Sequence, residues 1–164
     1  MAASPRPAAV VAVGKAVPEF SAMSSSGQLV SLSALKGKKV ILYFYPKDDT
    51  PGCTLQGQEF NQHLKDFADA NTKIYGISRD SVESHCKFID KYGYQFELLS
   101  DADEKICNLF GVIKEKNMYG NILMGIERST FAIDENGVLM AEFRKVQAAG
   151  NAQQMLQLIR EKNT

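Results

Sequence analysis

The apolar residues of this chain change their spacing several times, and each change predicts an element. PEFSAM and QLVSL are short mixed runs separated by the small residues Ser24 to Gly27, a pattern that predicts a β-hairpin near the N-terminus. KKVILYFYP follows and is apolar almost throughout, as a strand covered on both faces is. From Cys53 to about Ala70 the apolar positions Phe60, Leu64 and Phe67 recur at helical spacing. KIYGIS then supplies a second buried-type strand and SVESHCKFIDKYG a second helix. FELLS reads as the next strand, and Asp101 as the N-cap of a helix through EKICNLFGV with Ile106, Leu109 and Phe110 on its apolar face. STFAID and VLMAEFRKV flank Glu135-Asn136-Gly137, where Asn-Gly supplies the positive φ angles of a tight hairpin turn. A last helix, about Ala152 to Lys162, carries Met155, Leu158 and Ile159 on one face. The stretch KEKNMYGNILMGIER shows no period and reads as one long irregular connection.

Strand and helix alternate through the middle of the chain. That order predicts an α/β domain whose central mixed sheet has parallel pairings in the middle and helices on its faces. At 164 residues the chain is long enough for one domain with a substantial core. We read residues 1–13 as a loosely held tail and 14–164 as the single domain, because termini order poorly unless docked. Within that tail Val10 to Val13 is the apolar stretch, shorter than a secretory segment and far short of a membrane span. Nineteen basic residues balance nineteen acidic ones, which excludes the cationic stripe that nucleic acid requires. Three cysteines, Cys53, Cys86 and Cys107, form neither a disulfide framework nor a C-x2-C zinc pattern, so a reducing, cytoplasmic setting is expected. Neither His63 nor His85 has a second histidine or a cysteine three or four residues on, and no metal is expected.

Candidate chemistry centres on Cys53. It follows Thr50-Pro51-Gly52 at the expected start of a helix, where unpaired N–H groups and the positive end of the helix dipole favour a thiolate. A lone cysteine is usually a small core hydrophobe, but this position is poorly suited to that role. Pro51 suits the first helical turn, and the N–H groups of Gly52 and Cys53 are expected to face a small substrate. Lys47-Asp48-Asp49 reads as a solvated loop, and Tyr43, Phe44, Tyr45 and Phe60 as residues that line or support the pocket.

Pro46, Thr50 and Cys53 stand in the spacing P-x-x-x-T-x-x-C, and Arg128 lies much later in IERSTF. With FYPKDDTPGCT, SRDSVESH and KEKNMYG…GIERSTF, the chain from about Val13 onward resembles the peroxiredoxins, and among them the peroxiredoxin Q or bacterioferritin comigratory protein subfamily. The resemblance implies a thioredoxin-like fold and thiol-dependent reduction of hydrogen peroxide and organic hydroperoxides through a cysteine sulfenic acid. It makes Cys53 the peroxidatic nucleophile and has the Thr50 hydroxyl bond thiolate and peroxide. Pro46 shields the site and Arg128 stabilises the charge on sulfur and oxygen, with Gly52 and Tyr45 at the substrate. A thioredoxin-like dithiol protein is the implied electron donor, the implied state is a monomer, and no cofactor is expected.

The chain departs from the subfamily pattern after the nucleophile. Many members carry a resolving cysteine five residues on; this chain has Gln58 there. Others place it on the next helix, where Cys86 stands about one turn early. Cys86 is therefore either the resolving residue or, sharing a stripe with Val82 and Ile89, part of the core. Cys107 reads as structural, and if neither resolves, an external thiol reduces the sulfenic acid. Two other functions compete: a thiol-disulfide oxidoreductase, weakened by the absence of C-x-x-C, and a non-catalytic cysteine redox sensor, weakened by the presence of Thr50 and Arg128.

Overall fold

The computed structural model describes residues 10–162. Ser21–Ser24 (β1) and Leu29–Ser31 (β2) form the expected N-terminal hairpin, and a 3-10 helix, Leu32–Leu35, leads into Lys39–Phe44 (β3). Then come Pro51–Gln62 (α1), Leu64–Asp69 (α2), Thr72–Ser78 (β4), Val82–Tyr92 (α3), Glu97–Ser100 (β5) and Lys105–Phe110 (α4). The chain continues through Ile113–Met118 (β6), Asn121–Ile126 (β7), Ser129–Ile133 (β8), Leu139–Phe143 (β9) and Asn151–Lys162 (α5).

Seven strands form one sheet in the order β2-β1-β5-β4-β3-β8-β9, parallel across β5-β4-β3 and antiparallel at both flanks. All six residues of β3 are buried, as its unbroken apolar run requires. Strand alternation sorts them onto two faces. Val40, Leu42 and Phe44 join Tyr75, Ile77, Leu99, Phe110 and Phe131 in one core. Ile41, Tyr43 and Tyr45 join Cys53, Phe60, Phe67, Phe88, Leu98 and Met155 in the other. Helices α1, α2, α3 and α5 pack on this second face, which is where the candidate site lies.

Several expectations need correction. The helix expected from Cys53 to Ala70 is two, broken at His63, which caps the C-terminus of α1 and the N-terminus of α2. The stretch expected to be irregular is a separate hairpin, β6 with β7, turned by Tyr119 and Gly120, both at positive φ. Its strands carry mixed polar residues and its turn lacks Asn-Gly, so neither periodicity nor turn chemistry marks it. In the β8-β9 turn only Gly137 of the Asn-Gly pair has positive φ; the turn ends in a register shift near Ala132 and Ile133. Asp101 stands several residues before α4, yet its carboxylate accepts from the N–H groups of Ile106 (2.9 Å) and Cys107 (2.7 Å), so it caps from a distance.

Of the tail expected at residues 1–13, residues 1–9 lie outside the described residues. From Val10 onward the chain is docked: the Val10 N–H donates to the Leu109 carbonyl at 3.0 Å, and Val11 is buried in the first core. The burial of Val11 holds this segment, where its place near the terminus suggested looseness. Among the described residues no helix is long and apolar enough to cross a membrane.

Candidate active site

Residues 45–50 connect β3 to α1. Thr50 is the N-cap in extended conformation, its carbonyl accepting the first helical bond from the Thr54 N–H at 2.8 Å. Pro51 takes the first helical position, where its missing N–H costs no bond. This places Cys53 in the first turn, facing the sheet and only 1% exposed.

Arg128 reaches the sulfur from the residue before β8. Its Nη2 donates to Cys53 Sγ at 3.5 Å and its Nη1 to Gln56 Oε1 at 2.6 Å. Gln56 lies three residues after Cys53 on the same helix face, which lets one planar guanidinium serve both side chains. The buried Gln56 passes the constraint on, its Nε2 donating to Asn151 Oδ1 at 2.9 Å. Asn151, at the start of α5, also accepts from Thr130 Oγ1 at 2.8 Å. A continuous polar chain thus ties the sulfur to β8 and α5, and its members satisfy one another away from water. Gly52 completes the fit: a Cβ there would stand 3.0 Å from Arg128 Nη2.

Lys116 of β6 contributes a second cation to this region. Its chain lies over Gly125, where an added Cβ would meet Lys116 Cδ at 3.2 Å. Burial, and next the charge of Arg128, hold its ammonium below the usual lysine range, while Cys53 acts in the opposite direction.

The other expected site residues are arranged less directly. The Thr50 hydroxyl donates to the Lys47 carbonyl at 2.9 Å, and Pro46 is half-buried at the start of the loop. Tyr45 is buried with its hydroxyl committed to Asp48 Oδ1 at 2.6 Å. Asp48 departs from the solvated loop expected of it: it is 8% exposed and also accepts from Ser84 Oγ at 2.8 Å and pairs with His85 Nδ1 at 2.7 Å. Asp49 stays near the surface and bonds Lys91 Nζ and the Tyr92 hydroxyl.

All three cysteines are free. Cys86, half-buried on α3, donates its S–H to the Ser25 carbonyl at 3.1 Å, so it is turned toward the β1-β2 turn. Of the two roles left open for Cys86, membership of the core stripe is not seen: the buried residues of α3 are His85 and Phe88. Cys107 is buried, and burial first, then the Asp101 carboxylate, push its thiol far up; it is chemically quiet. Gln58 is exposed. Among the described residues no group of three or more His, Cys, Asp or Glu side chains could hold a metal ion.

A cysteine in the first turn of a helix beneath a fixed guanidinium can attack a small electrophile and have the charge stabilised as it moves. Comparison with known proteins gives that chemistry a family. Residues 13–142 match the model of the AhpC/TSA family. Peroxiredoxin Bcp of Xanthomonas campestris pv. campestris is 51% identical over 132 residues, covering 80% of this chain and 82% of that one. Among solved structures, a mutant of Xylella fastidiosa PrxQ superposes with a TM-score of 0.86 at 37% identity, covering 99% of this chain and 100% of that one. The Xanthomonas campestris bacterioferritin comigratory protein, solved in trapped intermediate and ligand complexes that bear on its alkyl peroxide reduction, gives 0.85 at 46% identity over 88% and 92%. The chain belongs to the AhpC/TSA family, in its peroxiredoxin Q/Bcp branch, and is a thiol peroxidase with the thioredoxin-like fold of those structures.

Proposed function

We propose that Cys53 is the peroxidatic nucleophile of this peroxidase and that hydrogen peroxide and alkyl hydroperoxides are its substrates. The Arg128 contact with the Cys53 sulfur carries this reading. The thiolate attacks one peroxide oxygen, the O–O bond breaks, and sulfur is oxidised to sulfenic acid. The departing hydroxide or alkoxide takes up a proton to leave as water or alcohol. Charge spreads over S, O and O in the transition state, and the guanidinium held by Gln56 lies beside the sulfur end of that line. Thr50, whose hydroxyl can turn from Lys47 to an incoming substrate, supplies a further donor. Pro46 fixes and shields the loop; the Gly52 N–H and Tyr45 complete the substrate side.

Cys86 then resolves the sulfenic acid by disulfide formation, and a thioredoxin-like dithiol protein in the cytoplasm reduces that disulfide. The enzyme works as a monomer. The alkyl peroxide reduction activity of the Xanthomonas campestris protein supports the inclusion of organic hydroperoxides.

Peroxide consumption driven by a thioredoxin system tests the reading. Wild type is expected to turn over hydrogen peroxide and cumene hydroperoxide, and Cys53→Ser to lose both activities. Retention of turnover by Cys53→Ser would overturn the assignment.

A further inference from the structure

His85 sits in the first half of α3, is fully buried, and takes no part in the chemistry described above. Its Nδ1 lies 2.7 Å from Asp48 Oδ2 and its Nε2 lies 2.9 Å from the Leu99 carbonyl oxygen. Both ring nitrogens thus lie within hydrogen-bond reach of an oxygen, one on the loop and one on β5. Asp48 belongs to the loop between β3 and Cys53, and three side-chain donors converge on it, from Tyr45, Ser84 and His85. Its own N–H is fixed in turn by Asp80 Oδ2 at 2.9 Å, which also accepts from Ser78 Oγ at 2.6 Å. A loop whose central residue is anchored this many ways does not choose its own conformation.

We propose that His85 is a positioning residue for peroxide attack: through Asp48 it holds residues 46–50 against α3 and sets the approach of Cys53 to Arg128. The inference rests on the reading of Cys53 as the nucleophile. Asp48 is two residues from Thr50 and five from Cys53, so loss of its anchor moves the capping residue before anything else. Displacements of about 1 Å in such a group can cost on the order of a hundredfold in rate.

Two amide substitutions separate the nitrogens. An asparagine amide nitrogen reaches the place of Nδ1 and a glutamine amide nitrogen the place of Nε2. His85→Asn therefore keeps the Asp48 bond, whereas His85→Gln keeps the Leu99 bond and removes one of the three side-chain bonds that hold Asp48. The readout is the rate at which Cys53 sulfenic acid forms with hydrogen peroxide, trapped with dimedone and quantified by mass spectrometry, beside hydrogen exchange of both variants. Oxidation of H85N is expected near the wild-type rate and that of H85Q slower by on the order of ten- to a hundredfold. Exchange in H85Q is expected to quicken at residues 47–50 and 82–86 and stay unchanged in α5. Equal rates in the two variants, a wild-type rate in H85Q, or lost protection extending through α5 would each overturn the proposal. A wild type whose Cys53 does not react removes the peroxidase assignment of Cys53 itself, whereas a reactive wild type beside an equally reactive H85Q removes this inference alone.

Discussion

Arg128 is doubly held. One nitrogen touches the sulfur while the other is fixed by the neutral amide of Gln56, so the cation is aimed before substrate arrives without a carboxylate neutralising it at that bond. A lysine at this position carries the charge but lacks the planar fork that serves two acceptors at once. Arg128→Lys is expected to slow oxidation of Cys53 by about 10²- to 10³-fold, the scale of losing one preorganised donor. Measured second-order rates for wild type and variant check this, and a loss below tenfold would show that charge alone suffices. Sequence made Cys53 and Arg128 legible because each sits in a motif. It hid Gln56 and Asn151, which lie 95 residues apart and look like ordinary polar helix positions until the fold buries them together. His85 and Asp48 also sit in motifs, SRDSVESH and FYPKDDTPGCT, but their pairing was illegible, since a charged loop next to a hydrophobic strand gives no sign that one aspartate turns inward.

At the scale of elements, the site depends on where α1 lies along the sheet. Tyr94 fixes that placement: its hydroxyl donates to the Thr54 carbonyl at 2.9 Å, and its ring crosses the helix at Gly57. A Cβ at Gly57 would stand 2.5 Å from the Tyr94 hydroxyl oxygen. Helix propensity favours alanine over glycine by about 1 kcal/mol, but overpacking against a buried ring costs about 1 to 3 kcal/mol, so the clash is the larger effect. Gly57→Ala is expected to lower the urea midpoint while leaving the slope unchanged; a raised midpoint would mean that Tyr94 swings aside freely. The same contest between local preference and packing explains which elements could be read in advance. Strands β3, β4 and β5 were evident because both their faces are apolar. The β6-β7 hairpin was not, because it pairs only with itself, buries Ile113 and Ile126 at its base and keeps Tyr119, Ile122 and Leu123 exposed toward its tip, so no buried face runs its length to impose a period.

Across the whole molecule, the proposed resolution by Cys86 requires two cysteines that face different neighbours to come together. The Cys53 sulfur is buried beneath Arg128, and the Cys86 sulfur is bonded to the β1-β2 turn at Ser25. A disulfide requires Cα atoms within about 7 Å and side chains turned toward each other, so the folded, reduced arrangement must open before resolution. The packing indicates which part gives way. Phe60 in the second half of α1 stacks on Tyr43 at 4.6 Å between ring centroids and stays anchored in the sheet. The first turn adds only Cys53 to that apolar face and is otherwise held by polar contacts, the Arg128 bonds and the Tyr94 hydroxyl at Thr54, so it is the part of α1 with the least apolar packing to lose. Oxidation of the sulfur also alters the group that Arg128 holds. One equivalent of hydrogen peroxide is therefore expected to give a Cys53–Cys86 cross-link within a single chain, identified by mass spectrometry of the unreduced digest. Hydrogen exchange should then quicken at the starts of α1 and α3 while α5 is unchanged. In Cys86→Ser the sulfenic acid has no partner inside the chain, so excess peroxide should carry Cys53 on to sulfinic acid. A digest that instead links Cys53 to Cys107 or to a second chain would mean that a different part of the molecule opens, because Cys107 is sealed in the core on the opposite face of the sheet.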